Sequence, residues 1–348
     1  FIVFVRVGGR LQRITLGRFP MLGLKEARQR ATEALGQAAR GEAPQSERKA
    51  AGNPTRFAAV AEDFVRLYCG RHNRESTARE TERLLKANFV EAWGERNIDA
   101  IGRGDVVELL DRIVERGGPS AANHALAAVR KLFNWCLERG LIEASPCSNI
   151  KRPGAIVTRE RALTDIELAA VWGASAAIGF PYQQLVRLLI LTAQRRGEVT
   201  GLLWPEVDLE QRLWTIPGGR TKNKRQHVVP LSPQVVAVVG GLPRLHETRV
   251  FPARGNDGAA FSGFSKMKRQ LDALSGITDW TLHDLRRTAA TGMARLGVAP
   301  HVVERVLNHV SGTFGGVAGI YNRFEYLSEM RTALELWARH VDGLAPAA

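Results

Sequence analysis

Residues 281–297 have the sequence "TLHDLRRTAATGMARLG", which combines a helix start with side chains suited to an anion. Thr281 is a good N-cap residue, so the pattern predicts a helix that begins directly after it. His283 and Arg286 lie three residues apart, near the amino-terminal end of that helix, which favours phosphate. Both lie off the apolar stripe that would face a core. The stripe consists of Leu285, Ala289, Met293 and Leu296.

Two neighbouring stretches carry the same residue types. In "LTAQRRGEVTGLLW" (191–204), Arg195 and Glu198 are three residues apart on one helical face. The stretch "PHVVERVLNHV" (300–310) begins a helix with proline and ends with His309, beyond its apolar residues. Each feature alone also fits a plainer interpretation, because surface arginines are usually solvated and a terminal histidine often caps a helix.

A basic turn and a pair of tyrosines complete the candidate residues. The runs "RLWTIPG" and "RQHVVPLS" predict two short strands around the turn "GRTKNK", which holds Lys222 and Lys224. By composition the two lysines are equivalent. Farther on, "GIYNRFEY" (319–326) contains Tyr321 and Tyr326, and tyrosine is usually a core or rim residue.

Length and charge define the broad class of protein. The 348 residues predict two or three domains, and a net charge of +14 predicts a polyanion as partner. No apolar run approaches the ~20 residues of a membrane helix, so we expect no membrane partner. The three cysteines form no CxxC pair, which favours a reducing, cytoplasmic setting. The chain starts with Phe1 inside a strand-like run, so we expect that earlier sequence is missing.

Periodicity and composition predict a mainly α, multi-domain protein with small β-sheets. Residues 1–42 combine a hairpin around two glycines with a helix, and a Gly/Pro-rich linker occupies 43–55. Residues 56–150 have helical apolar stripes, and 151–160 form a second linker. The third domain covers 161–342, where Thr164 and Glu167 match a capping box.

The motifs limit the chemistry that a nucleic-acid enzyme could use here. Phosphodiester cleavage needs a nucleophile, positive groups on the non-bridging oxygens and an acid for the leaving oxygen. The sequence contains neither HExxH nor GxxxxGK[ST], and no acid-rich strand motif. A metal-free and ATP-free route through Arg, His, Lys and a side-chain nucleophile is therefore the expectation, with no cofactor.

Basic residues outside these motifs are candidates for DNA contacts. A solvated helix face is the alternative for each of them. The candidates are Arg6, Arg10, Arg13, Arg74, Arg79, Arg130, Lys131 and Lys224.

The order of the motifs resembles the tyrosine recombinase (phage integrase) family. "TAQRRGEV" is similar to its first arginine box, TGxRxxE, with Ala193 for glycine, and "HDLRRTAAT" to HxLRH, with Arg287 for the final histidine. "LNH" is similar to LGH with Asn308 for glycine, and "GIYNR" to the nucleophile region. The helical second domain resembles the family's core-binding domain. The first resembles the arm-binding domain of prophage and genomic-island integrases, truncated at its start.

The resemblance implies roles for individual residues. Arg195 and Arg286 would clamp the scissile phosphate, with Glu198 as a supporting anion, and His309 would donate a further hydrogen bond. His283 would help to take the proton of the nucleophile Tyr321, and Lys222, chosen by its distance from "VVPL", would protonate the leaving 5′ oxygen. The product would be a 3′-phosphotyrosyl ester, and religation would need neither ATP nor metal.

Helical phase separates the two tyrosines. Five positions turn a helix by ~140°, so only one ring can face a given pocket. Tyr326 is in step with the apolar stripe of Met330, Ala333 and Trp337 and is interpreted as a packing residue, while Tyr321 lies off that stripe. The helix that follows Tyr321 would pack on its own domain or dock on a neighbouring protomer.

The resemblance further implies a site-specific recombinase that integrates or excises a mobile element. It would act on double-stranded DNA at core and arm attachment sites, as a homotetramer around a Holliday junction, in the bacterial cytoplasm at the nucleoid. A host DNA-bending protein and an excision factor are further expected partners. The alternatives are a relaxing type IB topoisomerase, which would not need the arm-like domain, and a catalytically inactive DNA-binding regulator, which would lack a catalytic position.

Overall fold

The structure is a computed structural model that describes residues 1–7, 10–17, 22–40, 55–155, 159–253, 256–309 and 326–344. The chain divides into two compact units, Phe1–Val157 and Thr158–Ala348. Helices dominate both, and the sheets are small and antiparallel, so the predicted fold class is confirmed. The predicted domain and linker bounds stay a prediction. None of the described helices is long and apolar enough to cross a membrane.

The chain starts with a hairpin of β1 (Ile2–Val7) and β2 (Arg10–Thr15), followed by helix α1 (Leu24–Ala39). Side chains alternate along each strand, so those on one side form a small core with α1 and those on the other side face solvent. The buried residues of this cluster are Val5, Ile14, Leu16, Leu22, Ala27 and Ala34.

The rest of the first unit is helical and has its own core, which includes Phe57, Phe64, Phe89 and Phe133. Its longest helix kinks at Gly118, where φ is +79°, and Pro119 follows without an N–H for the helical ladder. The elements are α2 (Phe57–Phe64, continued by a π-helical turn Val65–Cys69 and by Gly70–His72), α3 (Glu75–Leu85, continued by a π-helical turn Lys86–Val90 and by Glu91–Trp93), a 3₁₀ turn Ile98–Ala100, and α4 (Arg103–Glu138).

The second unit surrounds one large apolar core with helices and carries its strands at the edge. Its elements are α5 (Asp165–Ile178), α6 (Tyr182–Thr192), α7 (Arg196–Thr200), a 3₁₀ turn Trp204–Glu206, β3 (Val207–Asp208), β4 (Leu213–Ile216), β5 (His227–Pro230), α8 (Pro233–Gly240), β6 (Pro252–Ala253), β7 (Asn256–Ala260), α9 (Phe264–Ser275), α10 (Leu282–Arg295), α11 (Pro300–Val306) and α12 (Leu327–Leu344).

Local sequence signals explain several of these boundaries. The Thr164 hydroxyl accepts the N–H of Glu167 at 3.3 Å, and a Glu167 carboxylate oxygen accepts the N–H of Thr164 at 2.8 Å, which confirms the capping box of α5. Strands β4 and β5 pair antiparallel, with Trp214 opposite Val229, both buried. The connection between these two strands is the basic turn that the sequence predicts.

Helix α12 packs on the second unit of its own chain, as the first of the two predicted alternatives has it. Its apolar face is buried, and the indole N–H of Trp337 donates to the carbonyl of Ile190 at 2.9 Å. The ring lies against Gly292 of α10, where a Cβ atom would be only 2.2 Å from Trp337 Cζ3. Glycine at this position therefore permits the close contact of α10 with α12.

Substituting Gly292→Ala should lower the free energy of unfolding by about 1–3 kcal/mol, because the methyl group overlaps the buried Trp337 ring. Calorimetric melting of the full chain would measure the shift. Gly173→Ala is the matched control, since Gly173 lies on exposed helix surface with open space around its Cβ position. The control should be neutral or stabilising by up to about 1 kcal/mol. Equal melting of both variants would contradict the close contact.

Candidate active site

Three of the predicted catalytic residues line one cavity. Arg195, Lys222 and His283 are part of the wall of a cavity of about 910 Å³, together with Trp280 and Phe264. Lys224 is not among the described residues that line it. Most of the charged side chains in this wall are basic, so the cavity suits an anionic ligand.

His309 lines a second cavity of about 270 Å³, together with Asn223, His227 and Asn308. Arg286 is buried between structural neighbours and hydrogen-bonded to them. Tyr321, the predicted nucleophile, lies outside the described residues.

Arg195 is fixed at the start of α7 by Glu198. Its backbone N–H donates to one Glu198 oxygen at 2.9 Å, and its guanidinium Nη1 donates to the other at 3.0 Å. The Glu198 carboxylate is almost fully buried, so the pair holds the arginine side chain in one orientation. The predicted supporting role of Glu198 thus has a direct geometric basis, although the role itself stays a prediction.

Ala193 occupies the position before this box where the family motif has glycine. Its φ of +55° is left-handed, and it ends α6 as the C-cap residue. Glycine adopts this conformation without cost, which explains the usual residue, whereas alanine retains the geometry with some strain. The Ala193 carbonyl accepts a hydrogen bond from Arg286, so the turn helps to hold the second arginine.

Arg286, on α10, connects the ends of α6 and α11. Its Nη1 donates to the Ala193 carbonyl at 2.5 Å, and its Nη2 donates to the Leu307 carbonyl. Burial, together with the positive charge of Arg195, lowers the pKa of Arg286 to about 9. Two guanidinium groups thus repel each other in a partly dehydrated site, and a bound anion would relieve that repulsion.

His309 follows α11 directly after Asn308. Its backbone N–H donates to the Glu304 carbonyl at 3.0 Å, and its Nδ1 lies 3.5 Å from a carboxylate oxygen of Glu304. Desolvation lowers the pKa of His309 and the charge of Arg286 lowers it too, while Glu304 opposes the shift. The neutral imidazole is therefore favoured beside the arginines.

His283 lies in the first turn of α10, as the sequence predicts. Desolvation lowers its pKa, and the charges of Arg287 and Arg286 add to this shift. A neutral imidazole can accept a proton, so its environment suits a base.

The carboxylate beside His283 is a structural residue that the motif analysis missed. Asp284 is fully buried and accepts the Thr281 N–H at 2.8 Å in a capping box. Arg159 and Arg287 donate to it at 2.9 and 2.5 Å. Burial opposes ionisation of Asp284, but these hydrogen bonds outweigh it and lower its pKa. Arg287, which replaces the usual histidine, therefore neutralises a buried carboxylate.

Two further missed residues hold the end of α11. Gln194 is buried and donates from Nε2 to the carbonyls of Thr192 and Val306, at 2.8 and 2.9 Å. The ring of His227 also lies 3.2 Å from the Val306 carbonyl. Burial lowers the pKa of His227 to about 4, so its neutral ring donates that hydrogen bond. No spacing rule in the sequence relates these residues to α11.

Two of the three hairpin candidates for DNA contacts lie on its solvent side. Arg6 and Arg13 are exposed, opposite Leu11 and Phe4 in the strand register. The side chain of Arg10 lies outside the described part of the chain.

The helical candidates each have a partner in the protein. Arg79 pairs with Glu75, Arg130 donates to the Ile150 carbonyl at 2.5 Å, and Lys131 lies over the Tyr68 ring at 5.1 Å. Arg74 is half-buried at the start of α3 and Lys224 is exposed in its turn. Arg130 thus has a structural contact, and DNA contacts by any of these residues stay a prediction.

Comparison with known proteins covers nearly the whole chain. The Phage integrase family model matches residues 162–324, the Phage integrase central domain model 57–153, and the Arm DNA-binding domain model 1–51.

Two relatives and one solved structure illustrate the similarity. Prophage integrase IntZ of Escherichia coli (strain K12) is 29% identical over 94% of this chain and 83% of that protein. The integrase of Shigella phage Sf6 is 24% identical over 97% of this chain and 88% of that protein. A lambda integrase tetramer bound to a Holliday junction matches the fold with a TM-score of 0.62 and 14% identity, over 90% of this chain and 94% of that one.

The three matched models and the prophage integrase relatives together define a site-specific DNA recombinase. The chain belongs to the phage integrase family of tyrosine recombinases. The resemblance inferred from the motif order, and the enzyme class that it implies, are thereby confirmed.

Acid should destabilise the protein through His227. In the unfolded chain a histidine has a pKa near 6.5, whereas the pKa of His227 in the folded protein is about 4. Below pH 6.5 the unfolded chain therefore binds a proton that the folded protein does not. The contribution of His227 to stability is present above pH 6.5 and is lost as the pH falls towards 4. Between pH 7.5 and 4.5 this loss amounts to roughly 2–3 kcal/mol. A His227→Gln variant keeps an N–H donor but does not titrate. Urea unfolding at both pH values should therefore show a smaller acid loss for the variant; an identical loss would exclude this cause.

Proposed function

We propose that this recombinase cuts DNA through Tyr321, forming a 3′-phosphotyrosyl ester and a free 5′ hydroxyl, and rejoins strands by the reverse reaction. The main supporting observation is that the Arg286 guanidinium is buried beside Arg195. The pKa of Arg286 is lowered to about 9. Two neighbouring guanidinium groups favour binding of one anion that contacts both of them. A phosphate suits this site, because a guanidinium group can donate two parallel hydrogen bonds to its oxygens.

The phosphate contacts divide between the two arginines and one histidine. Arg195, oriented by Glu198, and Arg286 would bind the non-bridging oxygens, while His309 would donate a further hydrogen bond. Negative charge that develops on these oxygens would be stabilised by donors already in place, which lowers the barrier without reorganisation.

Two residues would carry the protons of the reaction. An unperturbed tyrosine has a pKa of ~10, so Tyr321 needs both a cationic pocket and a base to attack at neutral pH. His283, whose pKa is lowered, is suited to accept that proton. Lys222 would protonate the leaving 5′ oxygen, and its position in the wall of the same cavity as Arg195 and His283 supports this choice over Lys224.

We infer the assembly from the relatives. Lambda integrase has been solved as a tetramer bound to a Holliday junction, and relatives of this chain are prophage integrases. This chain would accordingly act as a homotetramer on double-stranded DNA, binding arm sites through residues 1–42 and core sites through 56–150, with catalysis in 161–342. It would integrate or excise a prophage or genomic island at the bacterial nucleoid, with a host bending protein and an excision factor as further partners.

The alternative functions receive less support. A relaxing topoisomerase has no use for a second DNA-binding specificity, and residues 1–51 match an arm DNA-binding domain. An inactive regulator would be expected to lack a catalytic side chain, and all six predicted positions carry the required residue.

Tyr321→Phe should abolish the covalent protein–DNA adduct, because it removes the attacking oxygen and nothing else. The assay is a denaturing gel of protein mixed with a nicked half-site duplex, whose core sequence comes from sequencing the junctions of the element. Tyr326→Phe is the matched control. The ring of Tyr326 packs against His301, with centroids 5.1 Å apart, and phenylalanine keeps that contact.

We therefore expect adduct from the wild type and from Tyr326→Phe at similar levels. The assignment of the nucleophile is wrong if Tyr321→Phe still forms the adduct, or if Tyr326→Phe loses it instead.

A further inference from the structure

We propose that Asn223 and Asn308 form a side-chain clamp that positions Lys222 as the acid; this inference rests on the function proposed above. The Asn223 Nδ2 donates to the Asn308 Oδ1 at 2.6 Å and approaches the Asn308 carbonyl at 3.4 Å. The clamp joins the loop between β4 and β5, which carries Lys222, to the end of α11, which carries His309.

The orientation of the Asn223 amide follows from a backbone donor. The N–H of Arg225 donates to Asn223 Oδ1 at 3.1 Å, so that atom must be the oxygen and the amino group must face Asn308. The Thr221 hydroxyl, which is buried, donates to the Arg225 carbonyl at 2.6 Å. The residues on both sides of Lys222 are thus fixed, while the lysine side chain itself extends into the cavity wall.

Asn308 is suited to its half of the clamp by its backbone as well as its amide. Its φ is +48°, a left-handed conformation that asparagine tolerates better than most residues. Glycine, which the family motif has here, would allow the same backbone but would lack the side-chain oxygen that accepts the 2.6 Å hydrogen bond from Asn223. The departure from LGH therefore adds a contact and keeps the local geometry.

A second anchor holds the other side of the lysine. Arg220 donates from Nη2 to the Glu198 carbonyl at 2.9 Å and forms an ion pair with the buried Glu206. Arg220 thus connects the lysine loop to the motif of Arg195, and Asn223 connects it to the motif of His309. A lysine side chain is long and flexible, so a fixed loop on both sides reduces the conformational entropy lost when its ammonium group meets the leaving oxygen.

The chemistry of the cleavage step provides a selective test. The Tyr321 oxygen bonds to phosphorus, the bond from phosphorus to the 5′ oxygen breaks, and that oxygen takes a proton from the Lys222 ammonium. When sulfur replaces the bridging 5′ oxygen, the group leaves as a thiolate, because a thiol pKa of ~8.5 is far below that of an alcohol. Cleavage of the sulfur-containing DNA then no longer needs the acid.

The experiment compares cleavage rates on a nicked half-site duplex with the natural 5′ oxygen and on one with a bridging 5′ sulfur. Asn223→Ala and Asn308→Gly break the clamp, and the second keeps the left-handed backbone. We expect each to cleave the natural DNA about 10–100-fold more slowly than the wild type, and the sulfur DNA within about 3-fold of it. Lys222→Ala should show the same pattern with a larger loss.

Asn149→Gly is the matched control, because Asn149 is also left-handed, with φ of +59°, and lies in the first unit. It should cleave both duplexes at the wild-type rate. Melting temperatures of all variants would show that loss of rate is not loss of fold.

The clamp is not a positioning device for Lys222 if its variants lose equal rate on both duplexes, or if they lose none on the natural one. The function proposed above fails in a different way. In that case the wild type forms no adduct with either duplex, or Lys222→Ala cleaves natural DNA normally, and the inference fails with it.

Discussion

The site depends on the buried guanidinium of Arg286. It donates to the carbonyls of Ala193 and Leu307, the residues that end α6 and α11. These carbonyls belong to helix C-termini, whose partial negative charge stabilises a cation. One side chain thereby fixes the turn before Arg195 and the segment before His309. Because it is buried beside another arginine, its charge is incompletely balanced within the protein. The interaction that organises the site would therefore also create the affinity for phosphate that we propose.

Local signals allowed much of this arrangement to be predicted from sequence. The start of α10 follows from Thr281 and its capping box, and the apolar stripe of α10 correctly left His283 off the core. The basic turn between two short strands was likewise predictable, because strand alternation and turn residues act over a few positions.

Long-range hydrogen bonds were not predictable in this way. Gln194 and His227 both bind the Val306 carbonyl, from 112 and 79 residues away, and Arg159 binds Asp284 from 125 residues away. Such contacts depend on the tertiary fold and leave no periodic pattern in the chain. Helix α12 was predicted as amphipathic, but its contacts with Gly292 and Ile190, both through Trp337, are what show where its apolar face is buried. The predicted nucleophile segment lies outside the described residues.

The departures from the family motifs have physical explanations. Ala193 and Asn308 both take left-handed backbone at positions where the motifs have glycine, and each retains the geometry. Arg287 replaces a histidine and pairs with the buried Asp284. All three substitutions affect residues that surround the site. The residues that would contact phosphate match the family motifs, as expected of an active enzyme.

Charge at the scissile phosphate offers the most direct test of the role of Arg286. A methylphosphonate at that position replaces one charged oxygen with a methyl group and removes the anion that the arginine pair would bind. We expect Arg286→Ala to cleave natural DNA about 10²–10³-fold more slowly than the wild type, but methylphosphonate DNA less than about 10-fold more slowly. An equal loss on both substrates would contradict a role for Arg286 in balancing the charge of the phosphate.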